Sequence, residues 1–163
     1  MTYGYSRLSL SVERKHILIV DDDLPTLVFL QKLLLGARYR VTAVEDGMKA
    51  LKVVREDKPD LAVLDLIMPG MDGFTLCSTL KRTGNFRSPI IVLSGAASEK
   101  DAQSAIDAGA SVFMHKPVKG EELLAKVATE RSAYIGTRDE VFKLLKTGDP
   151  ASASKVLGER MSP

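Results

Sequence analysis

The sequence predicts an α/β protein built on a parallel sheet with helices on both faces. Five short apolar runs alternate with helix-length segments along the chain. Three of the runs are apolar without alternation, as strands covered by helices on both faces require. The regular order of strand and helix favours right-handed crossovers between parallel strands. The predicted strands are residues 16–20, 39–44, 60–64, 90–93 and 112–114.

The second run alternates apolar and polar residues more than the others, which predicts an edge strand. Helices are predicted between and after the strands. The first has Asp23 as its N-cap, Pro25 in its first turn and Gly36 at its end. Asp46 and Gly47 open the second. The predicted helices cover residues 24–35, 47–57, 74–81, 98–108 and 121–133.

The ends of the chain follow a different pattern. Residues 1–14 are interpreted as a flexible arm, and residues 134–163 as a helical tail or a linker to an absent output. In the tail, residues 137–147 predict one helix, and Asp149 with Pro150 could begin another that ends near residue 160. The turn at 146–149 faintly resembles a helical-repeat hairpin. Since one hairpin is fewer repeats than usually stand alone, a docking or dimerising tail is the favoured interpretation.

Composition excludes several classes of function. The formal net charge of +2 gives no electrostatic argument for binding nucleic acid or a membrane surface. The single cysteine, Cys77, excludes an intramolecular disulfide and a cysteine metal cluster. The N-terminus lacks the apolar segment of a signal peptide, and no apolar run is long enough to span a membrane. We therefore expect a cytoplasmic protein.

Chemically active side chains follow four of the predicted strands. In an open parallel sheet, ligands bind beyond the carboxyl ends of the strands. Singly, each residue has an ordinary explanation as a turn former, a helix cap or a surface group. Together, on one edge, they are difficult to explain as structural residues. They are Asp21, Asp22 and Asp23 after the first strand, Asp65 at the third, Ser94 at the fourth and Lys116 at the fifth.

This set of groups suits phosphoryl transfer. Clustered carboxylates repel one another, and Mg²⁺, with Mn²⁺ as an alternative, would neutralise them and bridge to phosphate oxygens. An aspartate beside the metal can attack phosphorus and form an aspartyl phosphate. The metal, an ammonium and a hydroxyl would then each bind one phosphoryl oxygen.

Four segments of the chain resemble the response-regulator receiver domain of two-component signalling. They are residues 17–23, 63–73, 90–95 and 108–117. The resemblance covers residues 15–133. It implies a flavodoxin-like, doubly wound, five-stranded parallel sheet with strand order 2-1-3-4-5. It also implies a protein that takes part in its own phosphorylation and dephosphorylation and is not an enzyme for a metabolite.

The resemblance implies a role for each site residue. Asp65 is the phosphoacceptor, and Asp21, Asp22 and the backbone carbonyl of Ile67 complete the metal site with it. Ser94 and Lys116 bind the phosphoryl group, and the peptide bond before Pro117 is cis. The role of Asp23 is to cap the first helix, and Asp72 with Gly73 begins the third.

The resemblance also implies a conformational switch and residues that set the lifetime of the phosphorylated state. Ser94 would move towards the phosphoryl group and Phe113 would follow it, changing the face made by the fourth helix, the fifth strand and the fifth helix. Ile67 and Ala96 occupy the positions that gate the water attacking the phosphoaspartate. Because both side chains are apolar, we expect slow self-dephosphorylation. His115 is interpreted as a surface or packing residue.

The implied partner is a sensor histidine kinase or a histidine phosphotransfer protein. A homodimer could form through the switch face or the tail, and no direct DNA binding is expected from this chain. A phosphatase of the haloacid dehalogenase type needs an acid where Ile67 stands. A flavodoxin-type flavin site needs a phosphate-binding loop where the aspartates stand. A receiver-like interaction module that works without phosphorylation is the remaining alternative.

Overall fold

A computed structural model describes residues 14–84, 86–95, 98–146 and 150–160. Most of the arm, Ala96 and the turn at 147–149 lie outside the described residues. Strands and helices alternate as predicted up to the fifth helix. In chain order the elements are β1 His16–Val20, α1 Leu24–Gly36, β2 Arg40–Val44, α2 Gly47–Asp57, β3 Leu61–Asp65, α3 Gly73–Arg82, β4 Ile90–Ser94, α4 Glu99–Asp107, β5 Val112–His115, α5 Gly120–Lys146 and α6 Pro150–Arg160.

The described strands form one parallel sheet in the order β2-β1-β3-β4-β5. This confirms the predicted flavodoxin-like topology. Strands β1, β3 and β4 are buried along their whole length, whereas β2 is half-exposed at the edge. The unalternating runs therefore belong to the strands that helices cover on both sides.

The core consists of two apolar layers, one on each face of the sheet. Along β1, Leu18 and Val20 join the layer that includes α2 and α3, while Ile17 and Ile19 join the layer under α1 and α5. Successive side chains of a strand point to opposite faces, so each central strand contributes to both layers. This burial holds the central strands in register and places their carboxyl ends at one edge.

The first four helices begin at side-chain caps. In each case the side chain of the residue before the helix accepts a hydrogen bond from a backbone N–H of the first turn. The predicted roles of Asp23 and Asp72 as caps are confirmed. Each cap stands just before its helix, so the helices start at defined positions beside the sheet edge. The caps are Asp23, Asp46, Asp72 and Ser98.

The prediction of a helix ending near Ala133 is wrong. α5 runs without interruption from Gly120 to Lys146. A single glycine, Gly136, costs only about 1 kcal/mol inside a helix and does not end it. The predicted boundary between the receiver domain, residues 15–133, and the tail, residues 134–163, therefore falls inside a helix. That the tail has a separate role stays a prediction.

The last part of α5 forms a hairpin with α6, which packs against it. The buried side chains of Thr137, Val141 and Ala153 mark this contact. The short second helix of the tail is thus confirmed. Within the described ranges, no helix has the length and apolarity needed to cross a membrane.

His16 should make stability depend on pH. Its side chain is buried at the start of β1, with Nε2 2.8 Å from Thr42 Oγ1. Burial, aided by the charge of Arg40, lowers the pKa of His16 from its ordinary 6.5. The unfolded chain therefore binds a proton that the folded chain resists, and the free energy of unfolding should fall as pH drops below 6.5.

Urea unfolding between about pH 7.5 and 5.5 measures this slope. The matched control is His16→Gln, which keeps a polar side chain near Thr42 and does not titrate. We expect a flatter dependence in the variant. Equal slopes in the two proteins would contradict the role of His16.

Candidate functional site

Three carboxylates meet at the carboxyl edge of the sheet. Asp21 and Asp22 follow β1, Asp65 ends β3, and these two strands are paired neighbours. One carboxylate oxygen from each aspartate lies within 4.8 Å of the other two. Asp21 and Asp65 are buried and Asp22 is exposed. Oxygen ligands at this spacing, open to solvent on one side, are the donor set that a hard divalent cation takes.

Lys116, the residue that follows β5, reaches into this acidic cluster. Its Nζ lies 2.7 Å from Asp21 Oδ2 and 2.7 Å from Asp65 Oδ1. The Lys116 backbone N–H donates to the carbonyl of Ser94 at 2.7 Å, which ties the ends of β4 and β5 together. The peptide bond between Lys116 and Pro117 is cis. Lys116 is thus an internal counter-ion and not a solvated surface lysine.

The charges of the cluster influence one another. Burial acts to lower the pKa of Lys116, but the hydrogen bonds from its ammonium to Asp21 and Asp65 outweigh burial and raise the pKa above its ordinary value. Burial raises the pKa of the Asp65 carboxyl, and Lys116 acts in the opposite direction. The ammonium is held charged, and it compensates the two buried carboxylates.

Ser94 brings a buried hydroxyl to the same edge. It ends β4, the strand that pairs with β3 next to Asp65. The side chain is fully buried, and within the described part of the chain its Oγ has no hydrogen-bond partner. A buried polar group without a partner is costly, so such a group in a site is suited to binding a ligand.

Ile67 approaches Asp65 through its backbone. The Ile67 N–H donates to Asp65 Oδ2 at 3.1 Å, so both oxygens of Asp65 accept hydrogen bonds from the chain. The Ile67 side chain is 60% exposed beside the acidic cluster. It offers no hydrogen-bonding atom to a solvent molecule at this position.

Phe113 and His115 lie next to each other on β5. Phe113 packs against the core layer that contains α2 and α3. The His115 ring meets it edge to face, with ring centroids 5.1 Å apart at 81°. His115 is exposed. The interpretation of His115 as a surface or packing residue is therefore confirmed.

Two features of the site escaped the sequence reasoning. The sequence predicts for Gly73 only the start of α3, yet a Cβ built there would lie 2.3 Å from the carbonyl oxygen of Asp65 and 2.8 Å from Leu66 Cα. The Gly73 N–H also donates to the Leu66 carbonyl at 2.9 Å. Only glycine allows α3 to lie this close to the backbone of Asp65. The sequence signal was a glycine directly after a helix cap.

The second missed feature is the outer face of α1, where Leu24, Val28 and Phe29 are exposed. A groove of about 490 Å³ runs between α1 and the segment after β5, and Phe29 and Pro117 are among its lining residues. Lys116 lines it as well, so the groove reaches the acidic cluster. The sequence signal for this face was the near-continuous apolar sequence of α1. A helix that is apolar on all sides is normally buried by other parts of the protein or by a partner.

Known proteins resemble this chain in sequence and in fold. Residues 17–128 match the response regulator receiver domain, and the chain belongs to that family. The DNA-binding response regulator MtrA of Mycolicibacterium smegmatis is 34% identical over 154 residues, which cover 91% of this chain and 65% of MtrA. The response regulator MprA of Mycobacterium ulcerans is 40% identical over 111 residues, which cover 68% of this chain and 47% of MprA.

Solved structures show the same relationship. A CheY-like receiver domain protein from Methanospirillum hungatei has a TM-score of 0.69 and 28% identity, covering 73% of this chain and 94% of its own. The receiver domain of a histidine kinase from Syntrophus aciditrophicus has a TM-score of 0.67 and 31% identity, covering 72% of this chain and 90% of its own.

The chain spans just under two thirds of the length of MtrA.

Replacing Gly73 with alanine should destabilise the protein. The added Cβ would overlap the backbone of Asp65 and Leu66, and relieving the overlap requires moving α3 or the end of β3. We expect a loss of about 1–3 kcal/mol in the free energy of unfolding, measured with urea. Gly136→Ala is the matched control, because a Cβ at Gly136 meets nothing within 4 Å.

In the control, alanine should stabilise the helix by roughly 0.5–1 kcal/mol. The two substitutions therefore have opposite expected signs. A neutral Gly73→Ala would show that the close approach of α3 does not hold Asp65 in place.

Proposed function

We propose that the chain receives a phosphoryl group on Asp65 from a phosphohistidine of a partner protein. The observation that carries the proposal is the position of the Lys116 ammonium, 2.7 Å from both Asp65 and Asp21. Asp22 completes the same acidic cluster. A carboxylate nucleophile, two further carboxylates and a fixed cation together form a site for aspartyl-phosphate chemistry.

In the transfer, a carboxylate oxygen of Asp65 forms a bond to phosphorus. The bond between phosphorus and the donor imidazole nitrogen breaks, and that nitrogen keeps the electron pair. Lys116 would stabilise the charge on the phosphoryl oxygens, and its raised pKa keeps it protonated for this purpose. Ser94 would donate its Oγ–H to another phosphoryl oxygen, giving the buried hydroxyl a partner.

Asp21, Asp22, Asp65 and the carbonyl of Ile67 would hold Mg²⁺, with Mn²⁺ as an alternative. When bound, the metal would offset the repulsion among the carboxylates and supply positive charge to the incoming phosphoryl group. The described residues fit this group, because their carboxylate oxygens converge within 4.8 Å.

The exposed apolar face of α1 is the docking surface that we propose for the phosphodonor. A donor histidine must come within bonding distance of Asp65, so the partner has to contact the surface around that residue. Leu24, Val28 and Phe29 lie there, next to the groove that leads to Lys116. A sensor histidine kinase or a histidine phosphotransfer protein with an apolar patch would cover them.

Ser94 and Phe113 would couple phosphorylation of Asp65 to a conformational change. Phosphorylation would draw the Ser94 hydroxyl towards the phosphoryl group, and repacking of Phe113 would change the face formed by α4, β5 and α5. Partner binding or dimerisation at this face would follow. The absence of direct DNA binding by this chain and its cytoplasmic location stay predictions.

The acceptor is tested by mass spectrometry after treatment with acetyl phosphate and Mg²⁺. We expect the mass of one phosphoryl group on the wild-type chain, lost on chelation of the metal before treatment. Asp65→Asn should gain none, because an amide oxygen is a poor nucleophile. The control Asp46→Asn changes an exposed cap outside the cluster and should be labelled like the wild type.

If the wild type gains no mass under these conditions, the interaction module that works without phosphorylation becomes the better description. Labelling of Asp65→Asn at the wild-type level would place the acceptor elsewhere in the chain.

Ile67 should prolong the lifetime of the phosphoaspartate. Its exposed side chain has no polar atom to orient an attacking water. In Ile67→Asn, phosphoryl loss should accelerate on the order of 10-fold, which corresponds to about 1.4 kcal/mol in the barrier. The measurement is the decay of the phosphorylated mass after the donor is removed.

The control is Leu35→Asn, which makes the same chemical change at an exposed apolar residue at the far end of α1. Its decay should equal that of the wild type. An unchanged rate in Ile67→Asn would contradict the gating role. Ala96, the other predicted gate, lies outside the described residues.

A further inference from the structure

The sheet has a free edge at β2. This strand ends the order β2-β1-β3-β4-β5 and, in the described part of the chain, pairs with β1 alone. An edge strand presents a row of unpaired N–H and C=O groups, which natural proteins usually protect with charged side chains, proline or a bulge. Residues 41–44 are Val-Thr-Ala-Val, without a charge or a proline. The edge is therefore able to accept a further strand.

The ladder with β1 shows which groups of β2 are free. The Arg40 N–H donates to the carbonyl of the residue before β1 at 2.8 Å, and the Val44 carbonyl accepts from the N–H of the residue after β1 at 3.2 Å. Both groups of one residue point to the same side of a strand, and the side alternates from residue to residue. Arg40, Thr42 and Val44 therefore face β1, and the N–H and C=O groups of Val41 and Ala43 point outwards.

A groove of about 580 Å³ opens at the start of this edge. Its lining residues are Arg14, Leu35, Tyr39, Arg40 and Val41. Leu35, near the end of α1, is 47% exposed and gives the groove an apolar side. Since Val41 both lines the groove and carries outward-pointing backbone groups, a strand added at the edge of β2 would run along the groove.

The surface around the groove is basic. Arg14, Arg38 and Arg40 are all exposed. Arg40 has an acid beside it, with Nη1 3.1 Å from Asp57 Oδ2, but both side chains are about half-exposed, and such a pair contributes little to stability. Among the described residues, neither Arg14 nor Arg38 forms an ion pair with an acid.

A second acid at this end of the sheet, Asp60, does not neutralise the arginines. Its Oδ1 lies 3.8 Å from Lys15 Nζ, and its Oδ2 accepts a hydrogen bond from the His16 backbone N–H at 2.8 Å. Lys15 adds a positive charge of its own, so this pair is neutral. Four cations and two acids leave the surface with an excess of positive charge, which favours an acidic partner.

We propose that the outer edge of β2 and the groove at its start bind an extended acidic segment of a partner protein. The segment adds to the sheet as an antiparallel strand, the orientation with the more stable ladder, and its backbone bonds to Val41 and Ala43. Antiparallel pairing brings its carboxyl-terminal residues to the start of β2. Acids in that part of the segment then meet Arg14 and Arg40.

This surface is separate from the acidic cluster around Asp65. Strands β1 and β2 are in register from His16 beside Arg40 to Val20 beside Val44, and the cluster lies beyond Val20. Arg40 is therefore at the other end of the strand, about 13 Å away at 3.3 Å per residue. Binding of the segment does not require phosphorylation of Asp65.

A peptide fits this edge better than a nucleic acid or a second copy of the chain. A nucleic acid would be attracted by the arginines, but its backbone cannot continue a β-ladder, and Leu35 and Val41 offer it no polar contact. In an antiparallel pair of two β2 strands centred on Thr42, Arg40 would lie opposite Val44 and not opposite an acid.

Binding of a synthetic peptide to the unphosphorylated full chain tests the proposal. The probe is a short acetylated peptide of alternating valine and threonine that ends in two glutamates, and its control ends in two lysines. We expect a dissociation constant of about 0.1–1 mM for the probe at low salt, weaker at high salt, and at least about tenfold weaker binding of the control. N-methylation of the backbone of the probe should abolish binding.

Amide hydrogen exchange locates the bound peptide. The outward N–H groups of Val41 and Ala43 should exchange more slowly when the probe is bound. The N–H of Thr42, which already faces β1, is the control within the same strand and should change little.

Three variants separate the backbone contact from the charge contact. Ala43→Pro removes an outward N–H and keeps those that bond to β1, so it should abolish binding. Arg14→Glu should weaken binding of the probe about tenfold. Lys100→Glu, which makes the same change of charge on the exposed surface of α4, should bind like the wild type. Circular dichroism checks that each variant is folded.

Four results would overturn the proposal. One is the absence of binding at millimolar concentrations of the probe. Another is equal binding of the acidic and the basic peptide, which would leave the arginines without a role. A third is a dimer of the free chain in ultracentrifugation that Ala43→Pro removes, which would assign the edge to a second copy. The last is tighter binding of a short single-stranded oligonucleotide that Arg14→Glu weakens, which would assign the groove to nucleic acid.

Discussion

The contact of Lys116 with Asp21 and Asp65 is the interaction on which the site depends. Two buried carboxylates side by side would be unstable without a compensating charge, because desolvation and mutual repulsion both oppose them. The ammonium, 2.7 Å from each, supplies that charge from the residue after β5, a strand that is not adjacent to β1 or β3 in the sheet. The same three groups that stabilise the edge of the sheet thereby become a site for an anionic ligand.

The rest of the structure keeps this contact in place. The buried central strands β1, β3 and β4 hold Asp21, Asp65 and Ser94 at one edge. Gly73 lets α3 pack directly onto the backbone of Asp65, and Ile67 donates to its carboxylate. The buried strands and the closely packed α3 thus fix the positions of the polar groups of the site. This suits a reaction that relies on positioning and charge.

Much of the fold and the site could be predicted from the sequence, because the signals are local. The unalternating apolar runs predicted the buried strands, and the cap residues Asp23 and Asp72 predicted where α1 and α3 begin. The residues at strand ends predicted the acidic cluster. The end of the fifth helix was predicted wrongly, since the change of pattern after Ala133 does not interrupt the helix, which runs on to Lys146 and packs against α6. The exposed apolar face of α1 was missed because exposure is a tertiary property.

The sequence by itself determined the class of fold, the order of strands and helices, and the types of group at the sheet edge. These follow from hydrophobic period, cap chemistry and the residues that end each strand. Only the tertiary structure decided which charges touch, that Lys116 is shared between Asp21 and Asp65, and that Phe142 is left uncovered on a continuous α5. Those facts depend on distances between segments far apart in the chain, and such distances are set by how the helices pack on the sheet.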